Sequence, residues 1–164
     1  MSSSDLQIAG DILEVAHLLQ PLPEHPTTVA DFGGLARAIA ADRAQWAPLV
    51  AYDATTLRYH RLRSAPGYDV WLLSWVPGQA GGPHQHGRSC GVLTVLEGTL
   101  TERTDTGRRV LETGAQRVFA PGYVHRVAND AVDPAVSLHI YFPGLTGTAK
   151  HATTRHGTRS RPTV

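Results

Sequence analysis

Gly78-Gln79-Ala80-Gly81-Gly82-Pro83-His84-Gln85-His86, running on through Arg88, Cys90 and Gly91 to Glu97-Gly98, carries two histidines at a spacing of two. On an extended strand, side chains at i and i+2 leave the same face, so imidazoles at this spacing can grip one metal ion from one side; a helix would need i, i+4. The flanks favour a strand. Val70-Trp71-Leu72-Leu73-Ser74-Trp75-Val76 precedes the pair and Val92-Leu93-Thr94-Val95-Leu96 follows it, both rich in branched and aromatic residues and bounded by glycine turns. The competing reading is a pair of solvated loop histidines, and the rest of the chain decides between the two.

Outward from this stretch the pattern is extended from about Leu57 to Gly144. Candidate strands are Thr56 to Arg63, Asp69 to Val76, Pro83 to His86, Gly91 to Glu97, Gly98 to Thr104, Arg108 to Thr113, Ala115 to Phe119, Val124 to Asn129 and Ala135 to Phe142. Pro66-Gly67, Pro77-Gly78, Thr106-Gly107 and Pro121-Gly122 separate them as turns. Many short strands so punctuated imply a mainly β fold, a β-sandwich or jelly-roll barrel. Upstream, Ser4-Asp5-Leu6-Gln7 has the form of a capping box, and Leu6, Ala9, Ile12, Leu13, Ala16 and Leu19 recur at helical spacing. After a proline-punctuated linker, Thr28 can cap a second helix with Phe32, Leu35, Ala36, Ile39 and Ala40 on its buried stripe. A short helical stretch from Arg43 to Val50 is weakened by Pro48. The expected organisation is a helical region over 1–50, a barrel over 51–146 and a basic, solvated tail over 147–164.

At 164 residues the chain is long enough to bury a core without disulfides or metal staples. It is 41% hydrophobic and 18% charged with a formal net charge of +1, the composition of a soluble globular protein. Its basic residues gather on no periodic face, which argues against nucleic acid as a partner. One cysteine excludes internal disulfides and fits a reducing compartment. Asp5, Asp11 and Glu14 make the first twenty residues unlike a signal peptide, and no apolar run reaches membrane-spanning length. The reading is a cytoplasmic protein with no membrane partner, monomeric by default for a small barrel covered by helices.

A third metal ligand must come from elsewhere in the chain. Gly78, His84, His86 and Gly98 resemble the first motif of the cupin superfamily, and Gly114, Pro121, His125 and Asn129 resemble the second, with the proline one residue closer to the histidine than usual. The resemblance implies a cupin jelly roll in which His125 joins His84 and His86. Most cupins add a glutamate ligand; here that position is Gly91.

The last strand narrows the reading. Ala135-Val136-Ser137-Leu138-His139-Ile140-Tyr141-Phe142 alternates strictly, so Val136, Leu138 and Ile140 face one way while Ser137, His139 and Tyr141 face the other and can form a hydrogen-bonded row. With Tyr59-His60-Arg61, Leu73-Ser74-Trp75, His84-Gln85-His86, Val95-Leu96-Glu97-Gly98 and His125-Arg126-Val127, this segment resembles the thiol dioxygenases of the cysteine dioxygenase type, bacterial form, over about 59–143. The resemblance implies one mononuclear ferrous ion, Fe(II), on His84, His86 and His125, and O2 as co-substrate. It implies oxidation of L-cysteine to cysteine sulfinic acid, with Arg61 pairing with the substrate carboxylate. Tyr141, supported by His139 and Ser137, is then the catalytic hydroxyl, and Tyr59, Leu73 and Trp75 wall the pocket. Three neutral imidazoles leave the ion's full charge to attract a thiolate, and a guanidinium fork suits a carboxylate.

Two departures qualify this. Animal members link the active-site tyrosine to a cysteine, but the matching position here is Gly91; Cys90 is its neighbour, on the opposite face of a strand, so no Tyr141–Cys90 cross-link is expected. Arg58 and Arg63 lie close to Arg61, and on an unbroken strand Arg61 and Arg63 share a face. Related enzymes with glutamine at the arginine position take 3-mercaptopropionate, which keeps that thiol or another small one as alternatives, beside a non-catalytic metal-binding cupin. Phe142-Pro143 resembles the turn at which the arginine-type enzymes carry a cis bond.

Overall fold

A computed structural model describes residues 26–145 of the chain; the helix expected over Leu6 to Leu19 and the basic tail from Gly147 lie outside them. Thr28 adopts extended dihedrals and accepts a hydrogen bond at Oγ1 from the Asp31 amide (3.1 Å), while Asp31 Oδ2 accepts from the Thr28 amide (3.0 Å). This reciprocal cap satisfies two of the orphan amides at the start of α1 (Val29–Ala41). Phe32, Leu35, Ala36 and Ile39 form its buried stripe, as their spacing requires. Asp42 then caps α2 (Arg43–Trp46), and a 3₁₀ turn, Ala47–Leu49, follows with Pro48 in its first positions, where a missing amide hydrogen does no harm.

Eight strands follow among the described residues: β1 (Arg58–Ala65), β2 (Tyr68–Trp75), β3 (Cys90–Glu97), β4 (Thr99–Thr104), β5 (Gly107–Glu112), β6 (Gln116–Phe119), β7 (Arg126–Ala128) and β8 (Ala135–Phe142). They form two antiparallel sheets, ordered β1-β2-β8-β3-β6 and β5-β4-β7. At the β3–β4 turn Gly98 has φ +75°, and a Cβ there would meet the Pro134 carbonyl oxygen at 2.5 Å, so both conformation and space demand glycine. The Phe142–Pro143 bond is cis. No described helix is long and apolar enough to cross a membrane.

The central strands of the larger sheet, β2, β8 and β3, are buried on both faces. One face packs Val70, Leu72, Val92, Val136, Leu138 and Ile140 against α1 and Trp46. Phe32 stacks on Phe142 (ring centroids 4.0 Å apart) and meets Tyr68 edge-on; truncating such a buried ring to alanine costs about 3–5 kcal/mol. The other face turns Leu73, Trp75, Leu93, Val95 and Tyr141 toward Leu100, Leu111 and Val127 of the smaller sheet. Thus β8 is buried along its whole length, yet its two faces meet different surroundings: helix on one side, barrel interior on the other.

Two elements depart from the sequence reading. Pro83 to His86 is not a strand: His84 makes a single antiparallel bridge to His125, and His86 lies in the loop beyond it. Pro83 has no amide hydrogen, and Gly87 at φ +59° turns the chain so that the Ser89 amide bonds back to the His86 carbonyl (3.1 Å), which together break a regular ladder. Strand β1 contains a bulge: Arg61 pairs with Trp71, but Arg63 pairs with Val70. The extra residue turns Arg63 onto the helix-facing side, where its Nη1 reaches the Tyr68 hydroxyl at 3.5 Å. Arg61 and Arg63 therefore do not share a face.

Candidate metal centre

His84 and His125 are tied backbone to backbone, each amide bonding the other's carbonyl at 3.0 Å. The His84 Nδ1 hydrogen goes to the Gly82 carbonyl (2.7 Å), which leaves Nε2 as its outward lone pair. His86 comes in from the adjoining loop, and its Nε2 lies 3.3 Å from His125 Nε2. The ligand atoms of His84, His86 and His125 all fall within 4.8 Å of one another. Burial, partly offset by the Gly82 contact and joined by repulsion from His125, depresses the pKa of His84, so it favours the neutral ring that a metal requires. Three converging imidazoles suit iron, zinc, copper or nickel, and a cation among them answers the need for something positive between nitrogen lone pairs.

The space before Gly91, where the sequence resemblance expects a fourth ligand, is filled by a ring. Phe119 packs 4.8 Å from His125 and 5.4 Å from His86, centroid to centroid, on the side where β3 carries Gly91. A side chain at residue 91 would overlap it.

On the next strand, Ser137 Oγ lies 2.9 Å from His139 Nε2, and His139 Nδ1 lies 3.2 Å from the Tyr141 hydroxyl. The row begins one residue earlier than the alternation alone suggests, because Trp75 Nε1 donates to Ser137 Oγ at 2.9 Å. An indole only donates, so the polarity that keeps the serine hydrogen within the row runs Trp75 to Ser137 to His139 to Tyr141. The phenol hydrogen then points onward, and the ring stands 4.5 Å from that of His86. Tyr141 is 2% exposed, and burial, aided by nearby Tyr59, raises its pKa above the usual tyrosine value. Burial alone pushes Tyr59 up to about 12.

Arg61 is exposed on edge strand β1, on the interior face, with its guanidinium carbon 5.5 Å from the Trp71 ring centroid. Tyr59 pairs with Leu73 and shares that face. Among the described residues Arg61 has no ion pair; it lies in the row Arg61, Trp71, His139 across three strands. Arg58 is turned to the other face and pairs with Asp53 (2.8 Å).

Four residues around the site escape a reading by motif. Trp71 has the parity of Leu73 and Trp75, and its indole nitrogen is buried without a partner. Glu102, 3% exposed, accepts from His125 Nδ1 (3.0 Å) and from Arg117 Nε (2.9 Å). Burial opposes ionisation of Glu102, but these two donors outweigh it and hold its carboxyl below the usual range. Phe119 is the fourth. The available signal is parity: Glu102 shares a face with Leu100, and Arg117 with Phe119, so both charges point inward.

Two antiparallel sheets enclosing three histidines, brought together from a glycine-rich loop and the bridge residue just before β7, define a cupin. Comparison with known proteins agrees: the fold is similar to an RmlC-like cupin protein from Desulfovibrio desulfuricans (TM-score 0.53, 21% identity, 58% of this chain and 90% of that one). It is similar also to the TT1209 protein from Thermus thermophilus (TM-score 0.57, 26% identity, 60% of this chain and 93% of that one). The model of the family described as cysteine dioxygenase type I matches residues 9–153, and the chain belongs to that family. Human cysteine dioxygenase type 1 is 25% identical over 149 residues, covering 82% of this chain and 74% of that protein.

Proposed function

We propose that this protein is an iron-dependent thiol dioxygenase that converts L-cysteine to cysteine sulfinic acid. The observation that carries the reading is the meeting of two arrangements: three imidazoles with no carboxylate among them, and the Tyr141 phenol, ring to ring with His86, at the end of a buried hydrogen-bonded row. His84, His86 and His125 would hold a ferrous ion, which would supply positive charge for a thiolate and electrons for O2. Both oxygen atoms end on sulfur, so the conversion of thiol to sulfinic acid needs no further reductant.

The chain's own residues do the rest. Arg61, unpaired with any carboxylate among the described residues, offers a planar fork to the substrate carboxylate. Tyr141, kept protonated by burial, donates a hydrogen bond toward the anionic groups gathered before the histidines. Tyr59, Leu73 and Trp75 close the interior face against water. Family membership and the 25% identity to a cysteine dioxygenase support the reaction class.

The test is metal analysis of protein purified without added metal, followed by O2 consumption with L-cysteine and with 3-mercaptopropionate. Bound iron and one sulfinate formed per O2, with L-cysteine the better substrate, is the expected result. Preference for 3-mercaptopropionate reassigns the substrate, and iron-loaded protein that consumes no O2 with either thiol overturns the reading.

A further inference from the structure

Glu102 projects from β4 on the same face as Leu100, into the barrel interior, where an ionised group is costly unless each oxygen finds a donor. Both do: Oε1 takes the hydrogen of His125 Nδ1 at 3.0 Å, and Oε2 takes that of Arg117 Nε at 2.9 Å. The three residues come from β4, β6 and the bridge segment before β7, so the arrangement clamps one sheet to the other directly behind a metal-binding histidine.

We propose that Glu102 is a positioning residue that presents His125 Nε2 to the metal and strengthens it as a donor, with Arg117 holding Glu102 in place. The proposal rests on the three-histidine reading and goes a step behind it. A carboxylate oxygen accepts and does not donate, so Nδ1 carries the ring hydrogen and the lone pair is on Nε2, the atom that faces His86 Nε2 at 3.3 Å. The backbone bridge to His84 already fixes where His125 starts; the remaining freedom is rotation of the ring, which Glu102 removes. His84 is backed differently, by the neutral Gly82 carbonyl. The negative charge that Gly91 does not supply on the metal is thus supplied from behind one ligand.

The test uses the full chain and zinc as the probe. Zinc affinity is compared for wild type, Glu102→Gln and Arg117→Gln, each checked by circular dichroism for an unchanged fold. Loss of a carboxylate behind a ligating histidine weakens metal binding by about 10- to 100-fold; Glu102→Gln is expected in that range and Arg117→Gln at its lower end. Because Glu102→Gln could unfold the barrel, ¹⁵N NMR of zinc-loaded wild type gives an independent measure, with His125 ligated through Nε2 and protonated at Nδ1. A folded Glu102→Gln that binds zinc as tightly as wild type, or ligation of His125 through Nδ1, overturns the proposal and leaves the three-histidine centre intact. Wild type that binds neither zinc nor ferrous ion removes that centre itself, and this inference with it.

Discussion

The ring of Phe119 occupies the space into which a side chain at Gly91 would project: a Cβ on Gly91 would overlap Cε2 and Cζ of that ring and lie 2.8 Å from Cδ2. The two residues face each other in the β3–β6 register. A side chain at position 91, whether a glutamate or a cysteine, would require the Phe119 ring to move. Gly91→Ala is therefore expected to destabilise by about 1–3 kcal/mol through overpacking, measured by urea denaturation. Adding Phe119→Ala should recover part of the Gly91→Ala loss relative to Phe119→Ala alone. Strict additivity of the two substitutions would contradict the contact.

The bulge in β1 separates the arginines. Arg61→Gln should lower kcat/KM for L-cysteine by about 1.5–3 kcal/mol of charged hydrogen bonding, roughly 10- to 150-fold. Arg63→Gln, turned toward Tyr68 on the other face, should leave it unchanged. Steady-state kinetics of both variants decides, and equal effects would mean that the bulge does not set which guanidinium faces substrate.

Cys90 packs with the helix-facing cluster, whereas Tyr141 belongs to the interior one. Mass spectrometry of tryptic fragments after turnover should find Tyr141 and Cys90 in separate peptides, and Cys90→Ser should retain wild-type activity. A linked peptide would refute this placement.

Ser137 stands between two buried partners. Ser137→Ala removes the acceptor of the Trp75 indole hydrogen and the hydroxyl that meets His139 Nε2, where exposure is 4% or less, a loss of about 1–3 kcal/mol. Chemical denaturation measures that loss, and turnover should fall with it because the ring of His139, which meets the Tyr141 hydroxyl, loses its hold on Ser137.

Tyr59 and Tyr141 predict an alkaline limit to stability. The pKa of Tyr59 rises from 10.0 to about 12 on folding, so the unfolded chain loses its proton first as pH rises. Stability from this source is whole below pH 10.0 and falls as pH climbs toward about 12; the raised pKa of Tyr141 acts in the same direction. Tyrosinate absorbance should show both groups titrating late, and Tyr59→Phe should remove one of the delayed steps. A Tyr59 that ionises near 10 would be incompatible with its burial.

Local pattern was enough for the elements whose faces differ in chemistry. Strand β8 was legible because valine, leucine and isoleucine alternate with serine, histidine and tyrosine, and a period of two needs no knowledge of neighbours. The stripe and cap of α1 were legible for the same reason at a period of 3.6. His84 and His86 were found by spacing, although the loop that carries them is not the strand the spacing suggested.

Alternation along one strand says which residues share a face only while the strand is unbroken, and a single inserted residue in β1 reversed that for Arg63. Nor does it say what stands opposite. The meeting of Glu102 with His125 and Arg117, and of Phe119 with Gly91, joins residues from different strands whose approach is set by register and by how two sheets close on each other. The amino-acid sequence by itself determined the barrel, the three candidate ligands and the polar row. Tertiary structure decided which arginine faces inward, what stands opposite Gly91 and which carboxylate stands behind His125, because those are contacts between chain segments that no local periodicity encodes.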